Sequence, residues 1–100
     1  MTEKEFRNWL GKAQRGDVVV YHHGHLAHDT KKNLDLARVA ERAWQGASKG
    51  FLQIVQRKIG PGAFDYLAIA GDGAHRTADL HLMTIEVEAR APEARRAKAT

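Results

Sequence analysis

The stretch from Leu34 to Ala70, LDLARVAERAWQGASKGFLQIVQRKIGPGAFDYLAIA, decides the fold. Its first part carries apolar residues at helical spacing as far as Lys49, and Gly50 is well placed to end that helix. Two runs rich in β-branched and aromatic residues follow, over 51–58 and 64–70. The Gly60-Pro61-Gly62 sequence between them favours a turn. The order predicts one helix followed by a β-hairpin.

The residues before this stretch predict another helix and a strand. Thr2 and Glu5 have the spacing of a capping box. The apolar residues that follow lie three or four positions apart, which predicts one buried helical stripe: Phe6, Trp9, Leu10 and Ala13. We expect this helix to end by Gly16. Residues 18–22 contain three successive valines, which predict a strand buried on both faces. The polar loop after it has room for a short helical turn around Leu26, and Asn33 or Thr30 could cap the next helix.

The residues after the hairpin carry weaker signals. Apolar and polar residues alternate over 83–89, which predicts a fourth strand, although a helix through Leu80, Met83 and Val87 is an alternative. Residues 91–100 are basic and are expected to form a disordered tail. The prediction is a single α+β domain over residues 1–90, in the order α-β-α-β-β-β. Two helices then pack on a small antiparallel sheet of three to four strands.

Composition excludes several classes of protein. The chain has 100 residues, no cysteine, and 16 Lys and Arg against 12 Asp and Glu, for a net charge of +4. It has no apolar run long enough for a membrane span and no signal sequence, so we expect a cytoplasmic protein with no membrane partner. It has no catalytic motif of any specificity. We therefore expect no enzyme activity and no cofactor.

The candidate binding residues are basic or amide side chains. On the helix they recur at spacings of four, three and four residues, which predicts one exposed stripe: Arg38, Arg42, Gln45 and Lys49. Arg57 and Lys58 precede the hairpin tip. Arg and Gln can contact base edges, and Lys suits phosphate. These six residues are the predicted nucleic-acid or partner-binding surface. The alternative is a solvated face, with Asp35 and Glu41 pairing with the arginines.

A helix followed by a basic hairpin resembles the second half of a winged-helix domain. That resemblance implies a recognition helix in the DNA major groove and a hairpin that contacts phosphate or the minor groove. The sequence departs from the pattern before the helix, because the segment between His22 and Leu34 leaves room for barely one turn of a preceding helix.

Four histidines, His22, His23, His25 and His28, lie within seven residues. Histidine is a common metal ligand, and close spacing could bring ligands together. The segment resembles the H-x-H-x-D-H motif of metallo-β-lactamase-like hydrolases, but Ala27 stands at the aspartate position. A site would need a further ligand, for which His75 and His81 are candidates that the sequence alone does not place. We predict that the cluster holds no structural metal.

Trp9 and Trp44 lie on the apolar arcs of their helices and are predicted to be core residues. The alternative is that spare aromatic residues and an open sheet edge dock a protein partner or a second copy of the chain. A homodimer is therefore possible.

The chain also resembles a group of short uncharacterised phage and prophage proteins of Gram-negative bacteria, over about residues 6–70. Four segments carry the likeness: Gly16-Asp17-x-Val19-x-Tyr21-His22-x-Gly24-x-Leu26-Ala27-x-Asp29, Leu36-Ala37-x-x-Ala40-x-x-Ala43-Trp44, Gly50-x-x-x-Ile54-Val55-Gln56-Arg57-Lys58 and Tyr66-x-Ala68. The resemblance implies a small accessory factor in a bacterial host. Such a factor would be a nucleic-acid-binding regulator or, alternatively, an inhibitor of a host protein complex such as CRISPR interference or transcription.

Overall fold

The computed structural model describes residues 1–82 and establishes a mixed α+β fold. The elements run in the order α1 (Glu3–Lys12), β1 (Val18–Gly24), α2 (Leu26–Asp29), α3 (Leu34–Ser48), β2 (Leu52–Gly60), β3 (Ala63–Ala70) and α4 (Ala74–Thr77). The predicted α+β class is thus confirmed. The predicted strand at 83–89, the tail at 91–100 and the domain boundary at residue 90 lie outside the described residues. No helix within residues 1–82 combines the length and the apolar character needed to cross a bilayer.

The predicted helix caps are confirmed. At α1, the Oγ1 atom of Thr2 accepts from the backbone N–H of Glu5 at 3.1 Å, and the Glu5 carboxylate accepts from the N–H of Thr2 at 2.7 Å. At α3, the Oδ1 atom of Asn33 accepts from the N–H of Leu36 at 3.0 Å. Gly50 follows α3 with φ = +79°, a conformation that favours glycine. These local bonds satisfy donors that the helices leave unpaired, which fixes where α1 and α3 begin.

The three strands form an antiparallel sheet in the order β1-β3-β2. The hairpin pairs Leu52 with Ala70 at one end and Lys58 with Phe64 near the tip. β1 pairs with the other edge of β3 and contains a bulge at Tyr21, between Val20 and His22. Within residues 1–82, the last strand of the hairpin is therefore the centre of the sheet, and β2 lies at an edge.

Helices α1 and α3 cover one face of the sheet and form the core with it. The core side chains are Phe6, Leu10, Tyr21, Val39, Ala43, Leu52, Tyr66 and Ala68. Burial of a side chain such as Phe6 contributes about 2 kcal/mol or more of hydrophobic free energy. Because this cluster joins both helices to all three strands, it fixes the relative positions of α1, α3 and the hairpin.

The opposite face of the sheet is open within the described residues. Val18 is 53% exposed, and Val20, Leu67 and Ile69 are only half-buried. The prediction that β1 is buried on both faces is therefore wrong. The valine run is compatible with a strand, but the helices cover only one side of the sheet.

Helix α4 was not predicted from the sequence. It packs against α3 at Gly46, where an added Cβ would lie 2.6 Å from Cγ2 of Thr77. Thr77 is fully buried, and its hydroxyl has no hydrogen-bond partner within residues 1–82. The glycine therefore permits a close approach of α4 to α3 that no larger residue would allow without movement.

Candidate binding surfaces

Arg42 is buried, although its role in the predicted stripe requires an exposed side chain. It is 5% exposed. Its Nη1 atom donates to the carbonyl oxygens of Thr77, Ala78 and Leu80 at 2.8–2.9 Å. Its Nε and Nη2 atoms lie 3.1 and 3.0 Å from Oε2 of Glu3. The prediction that Arg42 lies on the exposed face of the helix is wrong, because these contacts direct its guanidinium into the interface between α1, α3 and α4.

Arg42 is a structural cation at the end of α4. Burial lowers the pKa of its guanidinium, while the nearby Glu3 carboxylate opposes that shift. A guanidinium stays protonated under such conditions and offers five N–H donors in a fixed fork. Here Nη1 donates to three carbonyls at and just beyond the C-terminal end of α4, while Nε and Nη2 face the Glu3 carboxylate. Arg42 therefore holds residues 77–80 against α3.

The other three predicted residues of α3 differ in their surroundings. Lys49 is exposed at the C-terminal end of the helix. The side-chain amide of Gln45 donates to Glu41 at 2.8 Å. Arg38 is half-buried, and its Nε atom is buried without a hydrogen-bond partner in the described part of the chain. Only Lys49 has the exposed, basic character that was predicted for the stripe.

Arg57 and Lys58 lie near the hairpin tip and project from opposite faces of β2, as successive strand residues do. The Nη2 atom of Arg57 donates to Oδ2 of Asp65 at 2.7 Å. Lys58 is exposed on the other side, across from Phe64. Lys49 precedes the opposite end of β2, so about 17 Å of strand separates it from Arg57. The structure therefore does not bring the six predicted residues together on one surface; a role in binding stays a prediction for those that are exposed.

Trp44 is exposed, and the prediction that it is a core residue is wrong. Its relative exposure is 61%, the highest among the large hydrophobic residues of the described chain. It borders a groove of about 590 Å³ together with Gln45, Ser48, Lys49, Leu80 and His81. Arg42 positions one wall of this groove because its guanidinium holds the Leu80 carbonyl at 2.9 Å. Trp9, by contrast, packs against the core and stacks on Phe6 with ring centroids 6.0 Å apart.

Three of the four histidines that cluster in the sequence have separate partners. His22 contacts Asp29 at 2.7 Å, and His23 contacts Asp65. The ring of His25 packs edge-on against Phe64 at 6.5 Å. Within residues 1–82, no three histidine or acidic side chains meet as a metal site. The absence of a structural metal stays a prediction.

Two carboxyl groups on the strands and α2 are held in the charged form. The Arg57 guanidinium, with a smaller contribution from His23, lowers the pKa of Asp65. Hydrogen bonding to His22 and to the backbone of His25 lowers the pKa of Asp29. Asp65 lies on the open face and contacts a side chain from each neighbouring strand, so it joins β1, β3 and β2 at the hairpin end of the sheet.

No protein family, curated protein or solved structure matches this chain. The winged-helix and phage-protein resemblances therefore stay predictions.

Proposed function

We propose that this protein acts by binding a protein partner, through the groove beside Trp44. The exposure of Trp44, 61% in a domain where five of the other six aromatic residues lie in the core or pack against it, is the observation that carries the proposal. Leaving an indole in water forgoes about 2 kcal/mol or more of burial free energy. Tryptophan is also enriched among the residues that dominate protein–protein binding.

The groove indicates the chemistry of the partner. Trp44 and Leu80 supply apolar surface, and Lys49 supplies an exposed cation at its margin. The whole chain also carries a net charge of +4. A matching partner surface would present an apolar side chain beside one or more carboxylates, because charge complementarity favours the correct encounter. We propose that the partner belongs to a larger protein complex of a bacterial host, which the bound chain inhibits.

Capture from a lysate of Gram-negative cells tests the proposal. The immobilised wild-type chain should retain a discrete protein that resists nuclease treatment and is lost with Trp44→Ala. Leu34→Ala removes another exposed apolar side chain, 40% exposed at the start of the same helix, and is the matched control that should retain the partner. Equal retention by both variants would contradict the assignment of the groove.

Nucleic acid is a second candidate target, favoured by cations at the hairpin end of the sheet. Lys31 and Lys32 are exposed in the turn after α2, and Lys58 is exposed on β2. His25 caps α2, and its ring contacts Phe64, the residue that pairs with Lys58. The start of α2 therefore also lies at the hairpin end of the sheet. Such cations could contact phosphates without reading bases.

Salt dependence distinguishes this candidate from the first. Phosphate contacts release counterions, so binding of a DNA duplex should weaken steeply as salt rises. Replacing both Lys31 and Lys32 by Glu should abolish that binding, whereas Trp44→Ala should leave it intact. Duplex affinity that is insensitive to the lysine replacements would contradict the nucleic-acid function.

A further inference from the structure

Strand β2 has a long outer edge that no strand of the described chain covers. In the order β1-β3-β2, β3 pairs with both neighbours, and β2 pairs only through its inner edge. β2 spans nine residues, and every residue from Gln53 to Ile59 is exposed. The backbone N–H and C=O groups along such an edge can pair with another extended chain.

Most of the usual protections of a sheet edge are missing from β2. Proteins commonly shorten their edge strands, interrupt them with proline or bulges, or place charges along them. β2 contains no proline, and its irregularity lies at the end, between Lys58 and Gly60. Ile54 and Val55 near its middle are 39% and 43% exposed. The middle of the strand is therefore suited to strand addition.

The charges of β2 define what kind of strand fits. Its charged residues are Arg57 and Lys58, both near the hairpin tip, and it contains no acidic residue. Directly opposed side chains on paired strands lie about 5 Å apart, so opposite charges attract and like charges repel. A second copy of β2 would supply cations and no carboxylates. The favoured partner strand instead places one acidic side chain opposite Lys58 and one opposite Arg57, whose guanidinium has further N–H donors besides the one given to Asp65.

We propose that the outer edge of β2 binds an extended segment of a partner protein by β-strand addition. The segment has two apolar residues, one spacer and two acidic residues in succession. The apolar residues lie opposite Ile54 and Val55, the spacer lies opposite Gln56, and the acidic residues lie opposite Arg57 and Lys58. Main-chain hydrogen bonds supply affinity, and this spacing supplies specificity. None of the residues that line the groove at Trp44 belongs to β2, and the proposal does not depend on that groove.

A synthetic peptide tests the proposal with the full-length chain. The probe is Thr-Thr-Val-Val-Thr-Glu-Glu-Thr-Thr carrying a fluorescent label, and the control peptide has lysine in place of both glutamates. The reversed sequence is tested in parallel, because the strand can add in either direction. Binding should be seen for at least one acidic peptide and not for the lysine peptide. Binding of neither acidic peptide would overturn the proposal, as would equal binding of the lysine peptide.

Variants and hydrogen exchange separate strand addition from general charge attraction. Lys58→Glu should weaken binding of the acidic peptide about tenfold, because a favourable cross-strand pair becomes a repulsive one. Lys12→Glu changes the net charge equally at an exposed residue of α1 and should leave affinity nearly unchanged. The bound peptide should slow amide exchange within residues 53–59. Equal loss of peptide affinity in both variants would overturn the proposal. So would the absence of added amide protection in β2 when the peptide binds, or protection of β2 that comes from self-association of the chain alone.

Discussion

Arg42 and Trp44 lie on opposite sides of α3, and each lies on the side that its residue type would not suggest. On the inward side, the charged residue Arg42 is 5% exposed and bound to three backbone carbonyls and a carboxylate. On the outward side, only two residues later, the indole of Trp44 is 61% exposed. A cation can therefore be structural while an aromatic residue is available for binding. The contacts of each side chain, rather than its polarity, decide its role.

The inward side should contribute most to stability. We expect Arg42→Ala to lower the free energy of unfolding by about 3 kcal/mol or more, because it leaves Glu3 and three carbonyls of residues 77–80 without their donor. Urea denaturation monitored by circular dichroism measures the loss. Arg38→Ala on the same helix is the matched control and should cost less than about 1 kcal/mol. Similar losses for the two arginines would contradict the buried role of Arg42.

Gly46 provides the next largest expected effect on the inward side. An alanine Cβ at this position would lie 2.6 Å from Thr77 and 3.1 Å from Leu52, so either α3 or α4 must shift. We predict that Gly46→Ala lowers the free energy of unfolding by about 1–3 kcal/mol, despite the better helix propensity of alanine. Gly11→Ala in α1 meets nothing within 4 Å and should be neutral or stabilising. Thermal unfolding of the two variants compares them, and an equal response would show that α4 does not pack closely at Gly46.

Acid should weaken the hairpin end of the sheet. The folded-state pKa of Asp65 is lowered, mainly by Arg57. The Asp65 carboxylate therefore makes its full contribution to the free energy of unfolding above its unfolded-state pKa of about 3.9. That contribution is lost as the pH falls through the folded-state pKa of Asp65. Denaturation at pH values from about 6 to about 2 should show this decline. Asp65→Asn should flatten it, and Arg57→Gln should flatten part of it by removing the main cause of the lowered pKa. An acid dependence that is unchanged in Asp65→Asn would contradict this assignment.

The outward side should contribute least to stability. We expect Trp44→Ala to change the free energy of unfolding by less than about 1 kcal/mol, because an exposed side chain loses little when it is truncated. Trp9→Ala should cost more, since its ring stacks on Phe6 and packs against the core. Calorimetric melting of both variants measures the difference. A larger loss for Trp44→Ala would place Trp44 in the core.

Local sequence signals predicted most of the secondary structure because their causes are local. The capping box at Thr2, the cap at Asn33 and the glycine after α3 depend on residues within a few positions of one another. The hairpin follows from two β-rich runs and the turn between them. Helix α4 gave no comparable signal, because it is four residues long and is held by Arg42 and Gly46 of another helix.

The binding surface was harder to predict because it depends on which face of α3 meets the other elements. At about 100° per residue, Arg42 lies about 60° from the core residue Val39, whereas Trp44 lies about 140° from it. The helical period thus contained the signal that Arg42 points inward and Trp44 outward. Residue type points the other way, because tryptophan is usually largely buried and arginine is usually exposed. The carbonyl oxygens of residues 77–80 that accept hydrogen bonds from Arg42 could not be predicted. They follow β3 in the sequence and approach α3 only in the folded chain.

Fluorescence quenching tests the central claim most directly, which is that α3 presents Trp44 to solvent. The chain has two tryptophans, so Trp9→Phe isolates Trp44 and Trp44→Phe isolates Trp9. Acrylamide is uncharged, and its quenching therefore reports access without bias from nearby cations. We predict stronger quenching and a longer emission wavelength for the chain that retains Trp44 than for the chain that retains Trp9. The reverse order, with Trp44 shielded and Trp9 accessible, would contradict the proposed binding surface.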